Sequence, residues 1–124
     1  KRSKWGKFNN HRITLDTSSK ILSDFPASIT FSDELYWNLK KASRGEITIL
    51  GETTAPGVEE SQADQKWPIL WTVQHPSIGN ADGGRAFGAV LGHFNEMRNS
   101  PVYQAILLRG IAWCLREPFA PFIP

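Results

Sequence analysis

Seven consecutive residues, Trp67-Pro68-Ile69-Leu70-Trp71-Thr72-Val73, are apolar at nearly every position, and no other feature constrains the fold of this 124-residue chain as strongly. A strand with one face in water alternates apolar and polar residues, whereas a near-continuous apolar run requires cover on both faces. The chain must therefore supply layers on either side of this segment or find them in a neighbour. A turn follows, because residues 75–84 carry Pro76, Gly79, Asn80, Asp82, Gly83 and Gly84. Residues 85–91 then read as a second strand, with small residues at Ala86, Gly88 and Ala89 where backbone or ligand can approach closely. These two strands are expected to pair as a hairpin.

Upstream, Gly and Pro cut the chain into short elements. Residues 11–16 place Ile13 and Leu15 at period 2, which suits a strand with one buried face. Residues 18–26 form a connection in which Ile21, Leu22 and Phe25 make a single apolar turn closed by Pro26. A further strand over residues 27–31 runs into Asp33-Glu34-Leu35-Tyr36-Trp37, and residues 47–50 make a short β-rich run ending at Gly51. Residues 52–66 hold Glu52, Glu59, Glu60 and Asp64 with few apolar groups, so an acidic surface loop is expected there.

The C-terminal helix has the clearest signals. Ser100 can cap it, and Pro101 fits its first position, where a missing N–H costs nothing. Val102, Ile106, Gly110, Ile111 and Cys114 recur at helical spacing and are expected to pack on a sheet, and Arg116-Glu117-Pro118 ends the helix. The tail, residues 119–124, is apolar and Pro-rich, and is expected to lie against the domain or a neighbour.

The length suits one compact domain over residues 1–124. With 40% apolar and 21% charged residues, the chain falls outside the disordered and fibrous classes. The formal charge is only +2, and the early run of Lys1, Arg2, Lys4 and Lys7 reads as a solvated tail, so no nucleic-acid partner is expected. Cys114 is the one cysteine, cannot form an intrachain disulfide and reads as a small buried hydrophobe, which leaves the compartment undetermined. No run approaches the roughly 18 apolar residues of a membrane span, so no membrane partner is expected.

Several short strings fall in a specific order. They are Gly6-Lys7-Phe8, Phe25-Pro26, Asp33-Glu34-Leu35-Tyr36, Pro68-Ile69-Leu70-Trp71-Thr72, Gly84-Arg85-Ala86-Phe87, Leu91-Gly92-His93 and Leu107-Leu108-Arg109-Gly110-Ile111-Ala112-Trp113. In order and spacing the chain resembles the second half of ThuA-like (trehalose-utilisation) domains, of the class I glutamine-amidotransferase-like superfamily. The resemblance implies an α/β, flavodoxin-like three-layer fold, of which this chain would be the C-terminal half with strands, a hairpin and a C-terminal helix. The absence of the first half, and Lys1 in place of an initiator Met, suggest a chain cut from a longer one. The residues 74–84 connection and the acidic loop depart from the family pattern.

The resemblance also implies chemistry on a sugar or oxidised sugar such as a keto-disaccharide, with hydrolase-like or isomerase-like catalysis and simple binding both left open. His93 follows a strand and Gly92, where open α/β sheets place ligand-contacting groups. Asp33 and Glu34 are adjacent, so an extended segment turns them to opposite faces and only one can point into a pocket. They are therefore not a paired-carboxylate glycosidase site, and Glu34 can equally be a carboxylate that accepts backbone N–H groups. The candidate site consists of His93 and Glu34 as catalytic groups, with Asp33, Tyr36, Trp37 and Gly92 binding substrate.

Trp71 and Trp113 sit among apolar neighbours and read as core. His11 reads as solvent-facing and His75 as a turn residue. No two histidines have ligand spacing, so neither a metal nor another cofactor is expected. Cys114 lies in a helix and not after a strand, which argues against glutamine amidotransfer. A non-catalytic interaction module in a larger assembly is the rival function. An exposed sheet edge would favour pairing with a second copy or with the missing half, through residues 67–73 and 85–91.

Overall fold

The computed structural model describes residues 2–41, 43–55 and 63–119. The elements follow in the order β1 (Lys4–Leu15), β2 (Ser28–Trp37), β3 (Glu46–Thr54), β4 (Lys66–Gln74), β5 (Arg85–Ala89), α1 (Asn95–Arg98) and α2 (Pro101–Leu115). The strands form one sheet in the order β2-β1-β3-β4-β5, and each neighbouring pair is antiparallel. Parallel neighbours need long crossovers, usually helical, and the described segments joining these strands contain no helix. The protein is thus a mostly antiparallel sheet with a C-terminal helix, an α/β composition without the parallel pairing of a flavodoxin-like sheet.

The expected hairpin forms, with Leu70 opposite Ala89 and Gln74 opposite Arg85. Its turn is closed by the His75 N–H donating to the Gly84 carbonyl at 2.9 Å. However, β4 is not an edge. It lies between β3 and β5, so the expectation that residues 67–73 offer an open edge is corrected, and the edge strands are β2 and β5. Residues 52–66 are less of a loop than expected, because β3 runs through Thr54 and β4 starts at Lys66. The middle of that segment, residues 56–62, lies outside the described residues, as do Lys1 and residues 120–124 of the tail. Phe119, the first tail residue, packs against the core.

Two irregularities cancel within the β3–β4 ladder. Leu50 is inserted between Ile49 and Gly51, and Ile69 between Leu70 and Pro68. Inserted residues bend the strand and redirect side chains. Leu50, Ile69 and Leu70 are consequently all buried, although Ile69 and Leu70 are neighbours in sequence. A third bulge lies in β1 between Phe8 and His11, where Asn10 takes a positive φ of 49°. His11 is not solvent-facing: its ring meets Phe8 and Phe31 edge to face, and its Nε2 lies 2.7 Å from the Thr54 carbonyl.

Ser100 and Pro101 begin α2 as expected, with the Ser100 side chain accepting the Tyr103 N–H. The packed stripe is displaced from the expected one. Tyr103, Ala105, Ile106, Arg109, Gly110 and Ala112 are buried, whereas Ile111 is 54% exposed and Cys114 only partly covered. Apolar residues surround this helix, so spacing alone cannot phase it. The Gly110 backbone sits against the Phe87 ring, and a Cβ there would lie 2.5 Å from ring atoms. Arg109, 1% exposed, donates to the Ile21 carbonyl at 3.1 Å and to Asp24 at 3.0 Å, and stacks over Phe25. This anchors the buried Ile21-Leu22-Phe25 turn to α2.

Candidate functional site

Alternation along β2 sends Phe31, Asp33, Leu35 and Trp37 to the packed side and Glu34 and Tyr36 to the other. The segment after β5 reaches both carboxylates, because β2 is an edge strand and the chain can run along it. Asp33 is fully buried. Its carboxylate accepts three successive backbone N–H groups, from Gly92 at 2.5 Å, His93 at 3.3 Å and Phe94 at 2.9 Å. Gly92 makes this convergence possible by taking a φ of +105°, a conformation that side-chain-bearing residues rarely adopt.

The backbone-accepting role weighed for Glu34 therefore belongs to Asp33. Asp33 was expected to bind substrate; it is fully buried, and its carboxylate faces the backbone of the loop that carries His93. Trp37 is also inside, with its ring against Phe8 and beside Gly6. Its Nε1 has no partner among the described residues. Gly92 acts through its backbone.

Glu34, Tyr36 and His93 do come together. The Tyr36 hydroxyl donates to Glu34 Oε1 at 2.7 Å, and His93 Nδ1 lies 3.7 Å from the same oxygen. The Glu34 side chain is 9% exposed and that of His93 is 53% exposed, so the imidazole is the accessible member. The Tyr36 pKa is raised above its ordinary 10, first by the bond to Glu34, then by burial and by the Glu34 charge. Tyr103 supports the site from α2 by donating to the Leu91 carbonyl at 2.7 Å. Burial and then the Asp33 charge push its pKa up to about 12.

Sequence reasoning missed Trp5. The register places Trp5 directly opposite Tyr36 and Lys7 opposite Glu34, and Trp5 is 61% and Tyr36 40% exposed. Two exposed aromatic rings thus adjoin the Glu34–His93 pair, while Lys7 Nζ lies over the Phe94 ring. Trp5 and Tyr36 are far apart in sequence, and only the β1–β2 register makes them neighbours. Among the described residues, no three His, Cys, Asp or Glu side chains gather as a metal site. Likewise no described helix is long and apolar enough to cross a membrane.

The family model described as trehalose utilisation matches residues 3–114. The chain belongs to the ThuA family. Membership gives it a role related to trehalose utilisation. Neither a curated protein nor a solved structure matches the chain. Two of the seven motifs that mark this ThuA-family chain, Asp33-Glu34-Leu35-Tyr36 and Leu91-Gly92-His93, meet at the loop pinned by Asp33.

Proposed function

We propose that this chain binds a sugar or keto-sugar on the open face of β1 and β2, with Trp5 and Tyr36 as a stacking platform and Glu34 and His93 as the acid–base pair. The observation that carries the reading is the convergence of an accessible imidazole, a shielded carboxylate and two exposed rings on one surface. Sugar rings present C–H faces to aromatic rings, and their hydroxyls pair with carboxylate and imidazole. Glu34 and His93 can accept and return a proton, as rearrangement beside the carbonyl of an oxidised sugar requires. The flavodoxin-like, glutamine-amidotransferase-type arrangement is proposed only for parallel strands that would adjoin this antiparallel unit in a longer chain.

The test is a titration with trehalose and with a 3-keto-disaccharide, followed by NMR at Tyr36, His93 and the Trp5 indole. Saturable shifts at all three, lost in His93→Ala and Trp5→Ala with the fold retained, support the reading. Unchanged shifts in both variants would overturn it. A second reading, a docking module, is favoured by Leu108, Ile111 and Leu115, which leave an exposed apolar stripe on α2. On that reading the partner is a second copy or further strands of the same domain. Concentration-dependent sedimentation, abolished by Ile111→Glu without loss of sugar shifts, would favour it.

A further inference from the structure

The other end of β5 carries a concavity that the Glu34–His93 face does not use. A cleft of about 450 Å³ opens between the turn after β4 and the C-terminal end of α2, with Gln74, Ser77, Asp82, Arg85, Trp113 and Arg116 in its wall and Glu117 beside them. Its volume falls within the roughly 300–1,000 Å³ of small-molecule sites. Such sites are mostly apolar, but this wall consists largely of polar groups, with Trp113 and Phe119 as its aromatic members.

The two arginines are held in place. Arg85 Nε donates to Gln74 Oε1 at 2.7 Å and Nη1 to the Trp113 carbonyl at 2.9 Å, while the guanidinium lies 4.7 Å over the Trp113 ring. Arg116 Nη2 donates to the Gly83 carbonyl at 2.8 Å, and its Nε lies 3.3 Å from the Asp82 carboxylate. Donors already fixed lose little freedom when a ligand arrives. Arginine has five N–H donors, and among the described residues Arg85 Nη2 makes no hydrogen bond. The Ser77 hydroxyl and the Glu117 carboxylate likewise have no hydrogen-bond partner among the described residues.

Charge balance then selects the ligand class. Arg85 and Arg116 contribute two positive charges and Asp82 and Glu117 two negative ones, so the wall has no net charge with which to attract an ion. It offers fixed donors, free acceptors and an indole edge, which together suit hydroxyl groups that both donate and accept. We propose that this cleft is a second binding site, for a neutral polyhydroxyl ligand of mono- or disaccharide size. The site is independent of chemistry at Glu34 and His93, which lie beyond the opposite end of β5.

The experiment is an NMR titration with trehalose as the neutral probe and inorganic phosphate as the anionic one, read at the Trp113 indole and at the Gly83 and Glu117 amides. Trehalose should move these signals saturably and phosphate should not. Arg85→Met should weaken the binding about tenfold. Glu117→Ala, which removes an exposed side chain and leaves the fold alone, should weaken it by a smaller factor, and Glu34→Gln should leave the cleft signals unchanged. Silent cleft signals up to trehalose concentrations on the order of 100 mM, equal affinity in both cleft variants, or a response to phosphate alone would each overturn the proposal.

Discussion

At the end of β5 that runs into Gly92, one anion collects backbone donors; at the end that begins with Arg85, two cations collect backbone acceptors. Asp33 takes the N–H groups of Gly92, His93 and Phe94, whereas Arg85 and Arg116 donate to the carbonyls of Trp113 and Gly83. The difference lies in water. Asp33 is wholly buried, while the Arg116 and Asp82 side chains are 35% and 77% exposed. Loss of a buried acceptor is not made good by water, whereas the exposed Arg116–Asp82 pair gives way to solvent readily. The two ends thus hold their loops by opposite means, a buried carboxylate beside His93 and two fixed arginines beside the cleft.

The strongest way to break this contrast is to remove Asp33. Asp33→Ala removes a buried acceptor and leaves three part-buried N–H groups unpaired, which should cost about 3 kcal/mol in urea denaturation. Asp33→Asn, which retains one acceptor oxygen, should fall between that variant and the parent. A loss below about 1 kcal/mol for the alanine variant would mean that water reaches the loop and that the two ends do not differ.

The same end should reveal itself at high pH through Tyr103. Its folded pKa of about 12 stands above the ordinary 10, so between these values the unfolded chain has lost the phenolic proton and the folded chain retains it. Stability from this group is complete below pH 10 and declines as pH rises towards 12, by about 2 to 3 kcal/mol in all. Denaturation midpoints across that window check the sign, and Tyr103→Phe should flatten the decline.

The arginine end predicts a smaller effect. Arg116 takes a φ of 63° at the helix C-cap, where glycine is favoured and other residues cost about 1 kcal/mol. Arg116→Gly relieves that strain and removes the part-buried bond to Gly83 and the exposed pair with Asp82, which together are of similar worth. Stability should change by less than about 1 kcal/mol. A larger loss would show that the cleft wall is as rigid as the Asp33 loop.

The sequence made local features legible and left long-range ones hidden. Ser100-Pro101 marks the start of α2 because capping is local chemistry, and the Gly- and Pro-rich residues 75–84 mark the hairpin for the same reason. The antiparallel order was obscured by the flavodoxin-like implication of the family motifs, although the connections without helices already pointed away from parallel pairing. Arg109 looked like a family letter, since nothing near it in sequence announces that Asp24 and the Ile21 carbonyl would receive it in the core. At the site, Glu34, Tyr36 and His93 were legible as types. The division of labour between Asp33 and Glu34 was not, because alternation separates the two faces of β2 without saying which one the rest of the fold covers. Trp5 needed the register that sets it opposite Tyr36.

The smallest effect concerns Tyr36 and separates the two carboxylates. The Tyr36 pKa is raised chiefly by the bond it donates to Glu34, and the Glu34 charge adds to this. Glu34→Gln retains an acceptor but removes the charge, so the Tyr36 midpoint should move down towards 10. The chain has only two tyrosines, and Tyr103 titrates near 12, so ultraviolet absorbance can follow both steps in one curve. Asp33→Asn should do the reverse, lowering the Tyr103 step, because the Asp33 charge contributes to it, and leaving Tyr36 in place. Crossed responses of this kind require that the carboxylates face different sides of β2. If either substitution moved both steps equally, Asp33 and Glu34 would share one environment, and the separation of a buried carboxylate from one on the open face would fail.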